Sequence, residues 1–324
     1  MKHSRKNARK DVATGNRGPN FLVIGAHKSG TTACYHHLKS HPDIFMSPVK
    51  EPRFFGVDGT HPRYGGPGVG AHLPGTTYVA DEGEYLQLFS GSARKKAVGE
   101  ASTIYLYLPG CAGRISQSLP NVRLIAILRN PIERAFSNFL HAKRDSLEPL
   151  ETFAAALDAE EARIRDNWPP FWHYANRGFY GIQLPRYVEL FGHDQLRIYL
   201  YEDFVERPAD VIGDMYAFLG VDRDFRPDLT KRFNESGLPR SARLFSALTL
   251  PGRSGLIPRA LASSNLWQRV RAALNRTALL KPPIPMRDRA RLQELYRTDI
   301  GRLESLLNRD LSHWLRHPSA DAAH

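Results

Sequence analysis

Four residues with the character of a buried strand, Phe21-Leu22-Val23-Ile24, run straight into Gly25-Ala26-His27-Lys28-Ser29-Gly30-Thr31-Thr32, and a helical stretch follows to about Ser40. This order of strand, glycine-bounded loop and helix constrains the fold more than any other stretch of the chain. The first N–H groups of a helix have no intrahelical partner and carry the positive end of its dipole, so the loop is suited to gripping a phosphate. Lys28 adds a charge, and Thr31 and Thr32 add hydroxyl donors. In the common nucleotide-triphosphatase loop the lysine directly follows the second glycine. Here Thr31 holds that position, and the lysine precedes Gly30 by two residues.

Further strands are expected at Lys96–Gly99, Val122–Leu128 and Leu196–Tyr201, with helices at about Glu82–Phe89, Ile132–Lys143, Thr152–Asp166 and Tyr180–Phe191. Strands separated by helices predict an α/β fold: a central parallel sheet covered by helices on both faces, with its ligand at the carboxyl ends of the strands. Pro48 and Pro52 keep the segment after the first helix extended or looped, and the Gly/Pro-rich stretch from Gly56 to Gly75 reads as a surface excursion. Beyond Tyr201 the pattern is helical, at about Pro208–Leu219, Asn265–Leu280 and Arg287–Asn308. In the last of these Leu292, Leu295, Tyr296, Ile300, Leu303, Leu306 and Leu307 mark one buried face.

A chain of 324 residues with 42% hydrophobic composition can bury a sizeable core, which argues against disorder as its main state. The formal net charge of +12 favours anionic partners: a nucleotide, an acidic glycan, a membrane surface or nucleic acid. Residues 1–20, with Lys2, Arg5, Lys6, Arg9, Lys10 and Arg17 against Asp11 alone, read as a disordered basic tail. No apolar h-region follows those charges and no apolar run approaches the roughly 18 to 20 residues of a membrane span, so a soluble, cytoplasmic protein is expected. Cys34, in a helix, and Cys111, in a Pro/Gly-bounded loop, are expected as free thiols, and no Cys/His spacing suggests zinc.

A second phosphate-binding element is Arg129-Asn130-Pro131-Ile132-Glu133-Arg134-Ala135-Phe136-Ser137. Arg129 offers a planar fork suited to phosphate, Pro131 is tolerated in a first helical turn, and Ser137 lies about two turns along. A triphosphatase usually places an acid for Mg²⁺ at the strand end where Arg129 stands, so no metal is expected.

Lys28-Ser29-Gly30-Thr31-Thr32 and the Arg129…Ser137 element, in this order, resemble the signatures of the sulfotransferases that use 3′-phosphoadenosine-5′-phosphosulfate (PAPS), and in particular of bacterial relatives of the heparan sulfate and other glycosaminoglycan enzymes. The resemblance implies a sulfotransferase fold like that of the P-loop NTPases, formed as one domain over residues 21–324. It implies PAPS as co-substrate, with its 5′-phosphosulfate on Lys28, Ser29, Gly30, Thr31 and Thr32 and its 3′-phosphate on Arg129 and Ser137.

Lys50-Glu51-Pro52-Arg53-Phe54-Phe55 looks like the segment in which the glycosaminoglycan enzymes carry their base, which makes Glu51 the residue that deprotonates the acceptor. Some relatives have a histidine at Arg53, which here suits an acidic acceptor instead. Gly99-Glu100-Ala101-Ser102-Thr103 resembles a segment in which some relatives have a lysine at Ala101. Arg177-Gly178-Phe179-Tyr180, Leu200-Tyr201-Glu202-Asp203 and Asn234 through Arg243 also match, the last as a nucleotide lid in which Arg240 meets a phosphate. Residues 244–285 form a variable, basic helical segment expected near the acceptor groove. Trp267, Val270 and Leu274 with Arg269, Arg271 and Arg276 make it amphipathic, which leaves peripheral membrane contact open.

The implied reaction is sulfuryl transfer from PAPS to a hydroxyl or amine of a glycan or glycoconjugate, by in-line displacement, with no nucleic-acid partner. Two rival readings stand beside it. A small-molecule or nucleoside kinase would need ATP and Mg²⁺; a non-catalytic nucleic-acid or membrane binder would use the basic segments.

Overall fold

Five parallel strands, β1 (Phe21–Gly25), β2 (Ile44–Met46), β3 (Ala97–Ala101), β4 (Arg123–Leu128) and β5 (Leu196–Leu200), form one sheet in the order β2-β3-β1-β4-β5. The computed structural model describes residues 18–66, 78–230, 238–239, 279–280 and 282–316. Most of the basic tail, the lid residue Arg240 and most of the segment 244–285 lie outside the described residues.

Successive side chains of a strand point to opposite faces. Leu22 and Ile24 of β1 join Leu124, Ala126 and Leu128 of β4 in one core; Phe21 and Val23 join Ile125 and Ile127 in the other. Both faces are covered, and for that reason these strands read as unbroken apolar runs. Strand β1 lies so close to β3 that a Cβ on Gly99 would come within 2.5 Å of the Phe21 ring. The chain places β2 and β3 on one side of β1 and then β4 and β5 on the other. The carboxyl ends of β1 and β4 therefore flank the topological switch point, where open α/β sheets bind their ligands.

Several local expectations are corrected. Residues 44–46 form a short edge strand within the segment expected to be extended or looped. Cys111 sits in the helix Pro109–Ser118 and not in a loop, because Pro109 occupies the first helical turn, where its missing N–H costs nothing. It is a buried free thiol, as is Cys34. The expected helix Tyr180–Phe191 divides at Pro185, which starts Pro185–Phe191, and Thr152–Asp166 divides into Phe153–Asp158 and Glu160–Arg165. In the last helix, Met286–Leu307, the buried stripe runs through Leu292, Tyr296, Ile300 and Leu303, while Leu295 is exposed. Among the described residues no helix is long and apolar enough to cross a membrane.

Candidate active site

The loop after β1 turns sharply into the helix Thr31–Ser40 through left-handed backbone at Lys28 (φ 66°) and Gly30 (φ 82°). Glycine suits the second turn on two counts, since it tolerates that φ and a Cβ would press on the Tyr201 ring at 3.2 Å. Ser29 and Thr31 are buried under the loop. At the end of β4, the Asn130 side chain accepts from the Ile132 N–H at 3.0 Å and caps the helix Pro131–Arg144, with Pro131 in its first turn. Arg129 Nη1 donates to the Lys28 carbonyl oxygen at 3.1 Å, and its guanidinium lies 4.8 Å from the centre of the Tyr201 ring. Ser137 is fully buried on the helix and engaged within the protein.

Burial, and then the like charges of Arg144 and Arg129, push Lys28 down to about 7, against the opposing pull of Asp145. An anion bound beside it would restore its charge.

Across from this loop, Glu51 and Arg53 stand on left-handed backbone after β2 (φ 62° and 58°). The Glu51 N–H donates to the carbonyl oxygen of Ala101, which ties the turn to β3. Thr103 donates to the Glu51 carboxylate twice, from its backbone N–H to Oε2 at 3.1 Å and from Oγ1 to Oε1 at 3.0 Å. Lys50 Nζ lies 3.1 Å from Oε1 and Arg53 Nε lies 3.5 Å from Oε2. Burial alone would raise the pKa of Glu51, but Lys50, Arg53 and the hydrogen bonds hold it down to about 2. Glu51 and Arg53 share a cavity with His27, Tyr64, Tyr78, Thr103, Phe171 and Arg177.

Beneath Glu51, Phe55 packs against Tyr85 and Tyr105, and its N–H donates to the Tyr105 hydroxyl at 3.4 Å. That hydroxyl donates in turn to Glu100 Oε1 at 2.6 Å. Glu100 is fully buried, and burial pushes it up to about 7. Tyr85 and Tyr105 both donate to its Oε1, and it does not line the cavity that holds Glu51. Ala101, where some relatives have a lysine, is fully buried in the sheet's second core.

Residues 18–234 match the sulfotransferase domain family. The chain belongs to the sulfotransferase family. The crystal structure of a sulfotransferase from Alicyclobacillus acidocaldarius is 34% identical, aligns with a TM-score of 0.71, and is covered over 100% of its length by 93% of this chain. The membrane-associated sulfotransferase kil1 of Dictyostelium discoideum is 31% identical over 150 residues, 45% of this chain and 28% of that protein. The bifunctional heparan sulfate N-deacetylase/N-sulfotransferase 4 of Mus musculus is 26% identical over 310 residues, 92% of this chain and 31% of that protein. The chain thus spans about a third or less of the length of these two curated relatives.

In this sulfotransferase the structure brings Lys28, Ser29, Gly30, Thr31 and Thr32 together with Arg129 at the switch point, and sets Glu51 in the adjoining cavity. Four side chains of that cavity, His27, Thr103, Arg177 and Tyr64, were not singled out from sequence. His27 donates from Nδ1 to Asn138 Oδ1 at 3.2 Å, because that oxygen already accepts from Arg134 and cannot donate. Burial, with Arg177 and Lys28 nearby, holds the His27 ring neutral. Thr103 and Arg177 lay inside segments noted for their resemblance, but nothing in their spacing revealed which way they face. Tyr64, within the expected surface excursion, lines the cavity because the Gly65 N–H donates to the Asn167 carbonyl oxygen and Asn167 Nδ2 to that of Arg63.

Proposed function

We propose that this sulfotransferase moves a sulfuryl group from PAPS to a hydroxyl or amine of a carbohydrate acceptor, through a single domain running from residue 21 to the last helix. The observation that carries the reading is the bond between Arg129 and the Lys28 carbonyl, which holds two phosphate-binding elements at adjoining strand ends beside the Glu51 cavity. Lys28 and the loop N–H groups would hold the 5′-phosphosulfate, and Arg129 and Ser137 the 3′-phosphate, with Arg240 as a further contact. All three relatives above carry sulfotransferase in their names, one of them with heparan sulfate, and the latter supports a glycan acceptor.

In the reaction the acceptor oxygen or nitrogen attacks sulfur as Glu51 takes its proton. A new bond to sulfur forms, the bond from sulfur to the bridging phosphate oxygen breaks, and the electron pair leaves with adenosine 3′,5′-bisphosphate (PAP). Lys28 and the loop amides stabilise charge on that departing oxygen, so positioning and electrostatics supply most of the acceleration. A carboxylate near 2 is a weak base for an alcohol. Its work becomes favourable only as attack on sulfur makes the acceptor proton acidic.

The test is a thermal shift with PAP against ATP plus Mg²⁺, followed by transfer of labelled sulfate from PAPS to a panel of glycans. At a hundred times its dissociation constant a specific ligand stabilises by about 2.7 kcal/mol. Stabilisation by PAP and label on a glycan are expected. Stabilisation by ATP–Mg²⁺ alone overturns the donor; PAP binding with label on non-carbohydrate acceptors only overturns the glycan.

A further inference from the structure

A buried guanidinium is costly unless an anion faces it. Arg163, buried, meets this requirement by forking onto Glu148 with bonds of 2.7 and 2.8 Å. Arg177 is treated differently. It is 6% exposed, donates to the Pro170 carbonyl oxygen at 3.4 Å and lies 5.7 Å from the Tyr107 ring centre. Among the described residues it forms no ion pair within 4.0 Å. Arg134, also buried, adds to the positive field around it.

Arg53, which lines the same cavity, is only partly paired. Its Nη1 is buried with no hydrogen-bond partner, and its Nε stands 3.5 Å from Glu51 while Lys50 approaches the same carboxylate to 3.1 Å. Glu51 is thus one negative charge among Lys50, Arg53 and Arg177. The two arginines line a single cavity with Glu51, together with the hydrogen-bonded hydroxyls of Tyr64 and Tyr78, 3.0 Å apart.

We infer that Arg177 and the free Nη1 of Arg53 form a subsite for an anionic group, a carboxylate or a sulfate ester, carried by the acceptor itself. The inference rests on the sulfuryl-transfer reading for the identity of the cavity as the acceptor's. Both anions present the paired oxygens that a guanidinium fork recognises. The subsite adjoins the base, so the acceptor's charge and its reacting group lie within one residue of the acceptor. An anion seated there also shares Arg53 with Glu51, and so relieves part of the pull that makes the carboxylate a weak base.

The test compares matched probes by isothermal titration calorimetry with the wild-type protein saturated with PAP: p-nitrophenyl β-D-glucuronide, its 6-sulfated glucoside counterpart and the neutral p-nitrophenyl β-D-glucoside. At least one anionic probe is expected to bind tenfold or more tightly than the neutral one, and the carboxylate and sulfate arms tell the two anions apart. In Arg177→Gln and Arg53→Gln the preference should shrink to within about twofold, with PAP affinity unchanged. The wild-type comparison needs no variant, and Arg53→Gln stands in should Arg177→Gln fail to fold. Equal binding of charged and neutral probes, no binding of either anionic probe, or a preference that survives both substitutions overturns the subsite. Failure of PAP to bind strikes the donor reading instead, and the probe comparison is then made without it.

Discussion

Arg129 reaches back from the end of β4 to the carbonyl oxygen of Lys28, 3.1 Å away, and so ties together the tips of two loops 101 residues apart in the chain. One guanidinium nitrogen sets the shape of the first loop, while the other lies 4.0 Å from the Glu133 carboxylate, which also pairs with Arg289. The arrangement gives Arg129 a positioning task beside its proposed hold on the 3′-phosphate.

Arg129→Ala should therefore weaken PAP by about 10- to 100-fold, the worth of one or two charge-assisted hydrogen bonds. Adenosine 5′-phosphate, which lacks the 3′-phosphate, should be weakened far less. Competition binding with the two nucleotides checks this; equal losses for both would remove the 3′-phosphate from Arg129.

Lys28, held near 7, is charged below that pH and loses its proton as pH rises through it. A bound phosphosulfate favours the charged form, so at pH 8 binding of PAPS or PAP should take up as much as about one proton. Calorimetry in buffers of different ionisation heat reads the uptake directly. Lys28→Arg, charged throughout, should show none from this position, and Lys28→Ala should lose turnover by about 10²-fold or more while staying folded.

Glu51→Gln keeps the size of the side chain and removes the proton acceptor. Turnover should fall by about 10²- to 10⁴-fold with PAP affinity intact. Because Glu51 is ionised down to about pH 2, it should contribute no acid limb to the activity profile above about pH 4. A variant that keeps wild-type turnover would dismiss Glu51 as the base.

Glu100 offers a stability test. Its folded pKa of about 7 lies above the ordinary 4.5, so the folded state holds the proton more tightly than the unfolded chain does. That stabilisation is complete below about pH 4.5 and is lost as pH rises to 7, a change on the order of a few kcal/mol. Denaturant unfolding at pH 5 and 8 should show the fall in wild type and a flatter response in Glu100→Gln. Identical pH dependence in both proteins would mean that Glu100 titrates normally.

The sheet and the loop after β1 were legible in sequence because their signals are local. An apolar run such as Arg123–Leu128 identifies a strand buried on both faces, and the order of glycine, lysine and threonine around Gly30 identifies the turn it makes. The cavity around Glu51 was legible only in part. Glu51 stood out through its neighbours, but Thr103, which holds its carboxylate, arrives from β3, and Arg177 from a short helical turn far along the chain. Their convergence depends on tertiary packing, which spacing does not encode. Pro109 and Pro185 misled for a related reason: the same residue ends one helix and begins the next, and only the fold decides which.

The strand order has one more consequence. Lys28 and Arg129 follow β1 and β4, whereas Glu51, Arg53 and Thr103 follow β2 and β3, so the residues proposed for the donor and most of those proposed for the acceptor occupy opposite flanks of a single sheet edge, with Arg177 arriving from between β4 and β5. A protein built this way works like a tool with a fixed grip and an exchangeable bit. On the proposed assignment, loops on the β2–β3 flank could be recut for another acceptor while the grip stays as it is, and exchange of those loops between relatives would then be a direct way to retarget the molecule.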